Sequence, residues 1–116
     1  MSTDALTQIE RVFSALPRAE RETIIRHGVA LRLADLNKRL FLAEGKVRAF
    51  VERYHTTLEQ LDAIGLPDDA GVEMHEDYIM WHHWTNVARQ TARDIAALQK
   101  IAQHGLLGEV APDVGD

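Results

Sequence analysis

The chain contains no cysteine, which excludes a disulfide framework, a cysteine-based zinc site, an iron–sulfur cluster and thiol catalysis. Serine is nearly absent as well. Ser2 and Ser14 are the only two, and both lie in the opening segment. No glycine-rich phosphate loop, no GxSxG elbow and no nucleophile with a local base can be found, so the parts of a hydrolase are missing. No catalytic residue is assigned, and a non-enzymatic protein without a cofactor is expected. No apolar run approaches the roughly 20 residues that a membrane helix needs, so no membrane span is expected. Met1–Ser14 lacks the basic start and apolar stretch of a secretion signal, and a cytoplasmic location is expected.

Positive charge is missing from one long stretch. Between Arg53 and Arg89 there is no lysine or arginine, while Glu59, Asp62, Asp68, Asp69, Glu73, Glu76 and Asp77 all fall there. Residues 1–55 carry ten Lys/Arg against seven Asp/Glu, a net +3, and residues 56–116 carry three against eleven, a net −8. A polyanion is repelled by such a middle segment, which disfavours general nucleic-acid binding. The remaining composition, 46% hydrophobic and 27% charged over 116 residues, suits one folded domain.

What the chain has in abundance is helical periodicity. Leu6, Ile9, Phe13 and Leu16 follow at helical spacing and predict a short amphipathic helix ending at Pro17. Residues 18–27 are polar around Ile24 and Ile25; a helix is expected there, either continuing onward or bending at Gly28. Val29, Leu33, Leu36, Leu40, Ala43, Val47, Phe50 and Tyr54 then alternate at four and three residues, a heptad seam. A basic row, Arg32, Arg39, Lys46 and Arg53, precedes the a positions of that seam and is expected to pair with acids such as Glu76, Asp77 and Asp94. Thr56 and Glu59 predict a capping box for a short helix over about 57–64, with Leu58, Leu61 and Ile64 facing inward and Gly65 as its stop. Leu66–Gly71 reads as a turn. A second long helix is expected from about Val72 to His104, with Trp81, Trp84, Ala88, Thr91, Ile95, Leu98 and Ala102 as its stripe and Gly105 just past its end.

The expected fold class is therefore all-α: an antiparallel hairpin of two long helices with short flanking helices. The organisation is 1–28 as short N-terminal helices, 29–104 as the hairpin core and 105–116 as a flexible tail. Two long helices cannot bury both wide stripes, which leaves Leu31, Phe41, Leu42, Val51 and Ile79 exposed. Dimerisation into a four-helix bundle is the expected solution. Leu40, Val47, Phe50, Tyr54, Trp81 and Trp84 are the interface candidates, aromatics being common anchors at such surfaces. Tyr54 and Tyr78 are expected to reach water with their hydroxyls.

The segment Glu73–Trp84 holds His75, His82 and His83 among acids, which raises the alternative of a metal- or small-ligand-binding bundle. The spacing argues against one ion. HExxH would require histidine at 79, where isoleucine stands. On a helix, His75 and His82 share a face but rise about 10.5 Å apart, and His82 and His83 point about 100° apart.

Four stretches together form a pattern: Lys46–Tyr54, Thr57–Leu61, Pro67–Asp69 and His75–Trp81. It is similar to a loosely defined set of small prokaryotic helical proteins that share K-x-x-F-x-x-(K/R)-Y, a short (S/T)-x-E helix, an acidic turn and an acidic helix start ending in tryptophan. Members are often encoded beside small toxin-like proteins, and the resemblance, over roughly residues 29–90, implies an antitoxin-type partner role. It implies scaffold and interface roles for Phe50, Tyr54, Trp81 and Trp84. It makes Asp68, Asp69, Glu73, Glu76 and Asp77 the surface offered to a basic partner. This chain departs from the set in carrying His55 where many members have glycine, and in its His82–His83 pair.

Overall fold

A computed structural model describes residues 2–107. Its elements are α1 (Ser2–Ala15), α2 (Arg18–Tyr54), α3 (Leu58–Ile64) and α4 (Val72–Ile101), followed by a π-helical turn over Ala102–Leu107. There is no strand among the described residues, and the fold class is all-α as expected. The tail expected after Gly105 falls, from residue 108 onward, outside the described residues.

The chain clusters into two units, whose boundaries fall inside α2 and α4. The first contains α1 and the opening of α2. Pro17 separates the two helices and starts the second, its carbonyl accepting the Arg21 N–H at 3.0 Å. From Arg18 the helix runs 37 residues without interruption, so Gly28 does not bend it. In α1 the apolar stripe is poorly covered. Leu6, Ile9 and Val12 are 58%, 63% and 67% exposed, while Phe13 and Leu16 are half-buried. No described residue of this unit whose burial is assigned is fully buried.

The second unit, Ala34–Ala96, holds all the fully buried apolar side chains among the described residues: Leu36 and Ala43 from α2, Leu61 from α3, Trp81 and Ile95 from α4. Every seam residue of α2 in this unit, and every stripe residue of α4, is buried or half-buried, as the heptad spacing requires. Trp81 is the centre. Phe50 stacks on it at 5.6 Å between ring centroids and Tyr54 at 6.0 Å. Lys46 lies over the Trp84 ring at 5.9 Å. These contacts pair residues in opposite order along the two helices.

The connections correct several expectations. Helix α2 ends on His55, which takes φ +54° while its N–H bonds to the Val51 carbonyl at 2.8 Å. That is a left-handed cap, the conformation in which glycine has no Cβ penalty, and it explains why glycine is at home at this position. The capping box lies one residue later than expected. Thr57, not Thr56, accepts from the Gln60 N–H at 3.2 Å, and the Gln60 side chain, not that of Glu59, accepts from the Thr57 N–H at 3.3 Å. The left-handed residue at 55 delays the new helix, and Thr56 instead donates to Gln60 Oε1 at 3.0 Å. Gly65 ends α3 at φ 89°, ψ 166°, a conformation essentially reserved for glycine. Ile64 is 85% exposed rather than inward, because a seven-residue helix has one buried face and here it centres on Leu61. Val51 is half-buried rather than exposed, whereas Leu31, Phe41, Leu42 and Ile79 are exposed as expected. Helix α4 stops at Ile101, and Gly105 sits within the π turn rather than capping a helix, since each π-helical N–H reaches one residue further back.

Candidate functional site

The polar chemistry of the second unit gathers at the end where the last turn of α2, helix α3 and the first turns of α4 meet. Two carboxylates organise it. Asp77, at the seam edge of α4, accepts the Tyr54 hydroxyl at 2.6 Å and forms an ion pair with Arg53 Nη1 at 3.1 Å. Arg53 also bonds Glu73, one turn earlier on α4, and its guanidinium lies over the Tyr54 ring at 5.5 Å. The Arg53–Asp77 pair is among those expected from the basic row; Glu73 joins it because residues four apart share a helix face.

The second carboxylate, Asp62, projects from α3. Its Oδ1 accepts from the Tyr78 hydroxyl at 2.5 Å and pairs with His82 Nε2 at 2.8 Å. Tyr78 and His82 are themselves one turn apart and pack edge to face at 4.8 Å. Leu58, Glu59, Asp62, His82 and Arg89 line a recess of about 200 Å³ beside this cluster. Both tyrosine hydroxyls thus end on carboxylates rather than in water, because each faces an acid at the same level on a neighbouring element.

The ionisation of these groups follows from the contacts. The hydrogen bond from Tyr78, then that from His82, holds the Asp62 carboxyl below its ordinary range. The same bonds act in reverse on the phenols: donation to Asp77 raises Tyr54, and donation to Asp62 raises Tyr78. The hydrogen bond and charge of Glu73 raise the Arg53 guanidinium still further above neutrality. At neutral pH Asp62 is therefore held ionised and both phenols keep their protons. That set suits an electrostatic clamp between elements more than proton transfer.

The three histidines do not converge. His75 Nδ1 lies 2.9 Å from the Gly71 carbonyl and closes the first turn of α4. His82 is held by Asp62, and His83 packs edge-on against Trp84 at 5.1 Å. Among the described residues no group of three or more metal-ligating side chains comes together.

Of the residues expected at an interface, Trp81 is 1% exposed and belongs to the core of a single chain. Leu40, Val47, Phe50, Tyr54 and Trp84 are half-buried and keep surface to offer. The acidic surface divides in two. Glu73 and Asp77 are engaged by Arg53, while Asp68, Asp69 and Glu76 are exposed and make no hydrogen bond or ion pair with a described residue. Sequence reasoning passed over Asp62 as a site residue. Its only signal was the i, i+4 pair Tyr78 and His82, two donors on one helix face in search of an acceptor. No family model, curated protein or solved structure matches this chain.

Proposed function

We propose that this chain is a non-enzymatic helical protein-interaction module that works as a homodimer. Two antiparallel long-helix hairpins associate into a four-helix bundle, and the module acts as the antitoxin-type partner of a small basic protein. The observation that carries the proposal is the amount of apolar side chain left uncovered. Ile9 and Val12 in the first unit, and Phe41 and Ile79 in the second, are each more than 60% exposed. Ile9 and Val12 lie together on one face of α1; exposed apolar patches mark association surfaces, and a symmetric second copy is the commonest way to cover them. The acidic side chains free to meet a basic partner are Asp68, Asp69 and Glu76, since Glu73 and Asp77 are already neutralised.

The test compares the wild-type chain with the Ile9→Asp/Val12→Asp and Phe41→Asp variants by light scattering, with far-UV circular dichroism as the check on folding. These positions are exposed, so helix content should persist while the mass falls toward that of one chain. Variants that keep the wild-type mass contradict the surface assigned. The partner arm uses the product of the adjacent gene. Co-purification with the wild-type chain that is lost on Asp68→Lys/Asp69→Lys/Glu76→Lys supports the acidic surface, and binding unaffected by the reversal contradicts it.

A further inference from the structure

A second recess of the Ala34–Ala96 unit lies one turn along α4 from the Asp62 cluster. It measures about 360 Å³, within the range of small-molecule sites, and is lined by Glu44, Val47 and Arg48 of α2 and by Thr85, Ala88 and Arg89 of α4. Three features of its lining point the same way. The Thr85 hydroxyl oxygen is buried and has no hydrogen-bond partner. Neither Arg48 nor Arg89 makes a hydrogen bond or ion pair with a described residue, although Arg89 lies near enough to Asp62 to help keep that carboxyl ionised. Val47 and Ala88 supply an apolar floor.

A buried hydroxyl left unpaired is costly, and native structures rarely keep one without a use for it. The residues that line the recess with it include two arginines, whose planar guanidinium forks match carboxylate and phosphate oxygens. Glu44, the one acid on the rim, leaves the lining with a net positive charge. It sits across from the α4 donors and disfavours a ligand charged over its whole surface.

We infer that this recess binds a small organic oxyanion, a carboxylate or a phosphate monoester, whose charged end is held by Arg89 and Arg48 and by the Thr85 hydroxyl once rotation about its Cα–Cβ bond turns it from its enclosed position into the recess, while a short apolar body rests on Val47 and Ala88. The site shares Arg89 with the recess beside His82 and Val47 with the interface candidates, and it does not involve Asp68, Asp69 or Glu76.

The experiment is a two-dimensional amide NMR titration of the full chain at constant ionic strength, with phenyl phosphate, benzoate and inorganic phosphate as probes. Saturable shifts at Thr85, Ala88 and Arg89 are expected. Both aromatic probes should exceed inorganic phosphate, and whichever of the two binds more tightly identifies the preferred oxyanion. Thr85→Val should weaken binding about tenfold, the loss of one charge-assisted hydrogen bond. Because it removes an unpaired hydroxyl, the same variant should leave the Tm of the free protein unchanged or raise it. Arg89→Gln should abolish saturation. Shifts that follow ionic strength alone, or binding equal in wild type, Thr85→Val and Arg89→Gln, would overturn the assignment.

Discussion

Single residues show how backbone geometry and hydrogen bonding set the local chemistry. His55 holds a left-handed φ of +54° that costs a non-glycine residue about 1–2 kcal/mol. Its side chain is exposed. His55→Gly is therefore expected to stabilise the chain by up to about 1 kcal/mol, a rise of roughly 4 °C in Tm by thermal denaturation, once glycine's larger unfolded-state entropy is offset. A fall in Tm would mean that the histidine ring does something the cap geometry does not show. The phenols make a second expectation. The chain has only two tyrosines, and both donate to carboxylates that raise them above their ordinary value of 10.0. A raised acid of this kind keeps its proton longer in the folded state. Its stabilisation is complete below pH 10 and is lost as pH climbs through the folded value. Absorbance at 295 nm should therefore show tyrosinate forming at higher pH in the folded chain than in the denatured chain; coincident titrations contradict these bonds. Asp62 runs the other way. Its lowered carboxyl adds stability above its ordinary value of 3.8, and that stability disappears as pH falls through the lower folded value.

At the scale of elements, helix α2 shows where sequence reasoning succeeds and where it stops. The 4-3 spacing from Val29 to Tyr54 identified which face is covered, because period and burial are two views of the same helix geometry. Whether residues 18–28 continue that helix was undecidable from the sequence: Gly28 weakens a helix without forbidding one. Open space surrounds the position where its Cβ would be. Gly28→Ala is accordingly expected to stabilise α2 by about 0.5–1 kcal/mol in denaturant unfolding, through the entropy of the unfolded chain. Loss of stability would indicate that the glycine accommodates something outside the single chain. The start of α3 was legible only to within one residue, since Thr56-Thr57 and Glu59-Gln60 offer two registers for the same box. The left-handed residue at 55, a backbone property no side-chain pattern announces, selects the second. The pairing of Asp62 with Tyr78 and His82 was not legible at all, because it joins residues 16 and 20 positions apart on separate helices.

At the scale of the whole molecule, burial is unequal. Among the described residues, every fully buried apolar side chain belongs to Ala34–Ala96. A 14-residue helix such as α1, with much of its apolar stripe exposed, is only marginally stable in water by itself and gains stability through packing. Composition and periodicity disclosed that apolar flanks would remain, because two seams need more surface than two helices provide. They also named Leu31, Phe41, Leu42 and Ile79 among those flanks, and missed only that Val51 is half-buried. The shortage of cover is the physical reason for expecting a second copy. Sedimentation equilibrium of the untagged wild-type chain at micromolar concentration tests that most directly. A mass of twice 13.1 kDa is expected, and a single species of 13.1 kDa across the concentration range would contradict it.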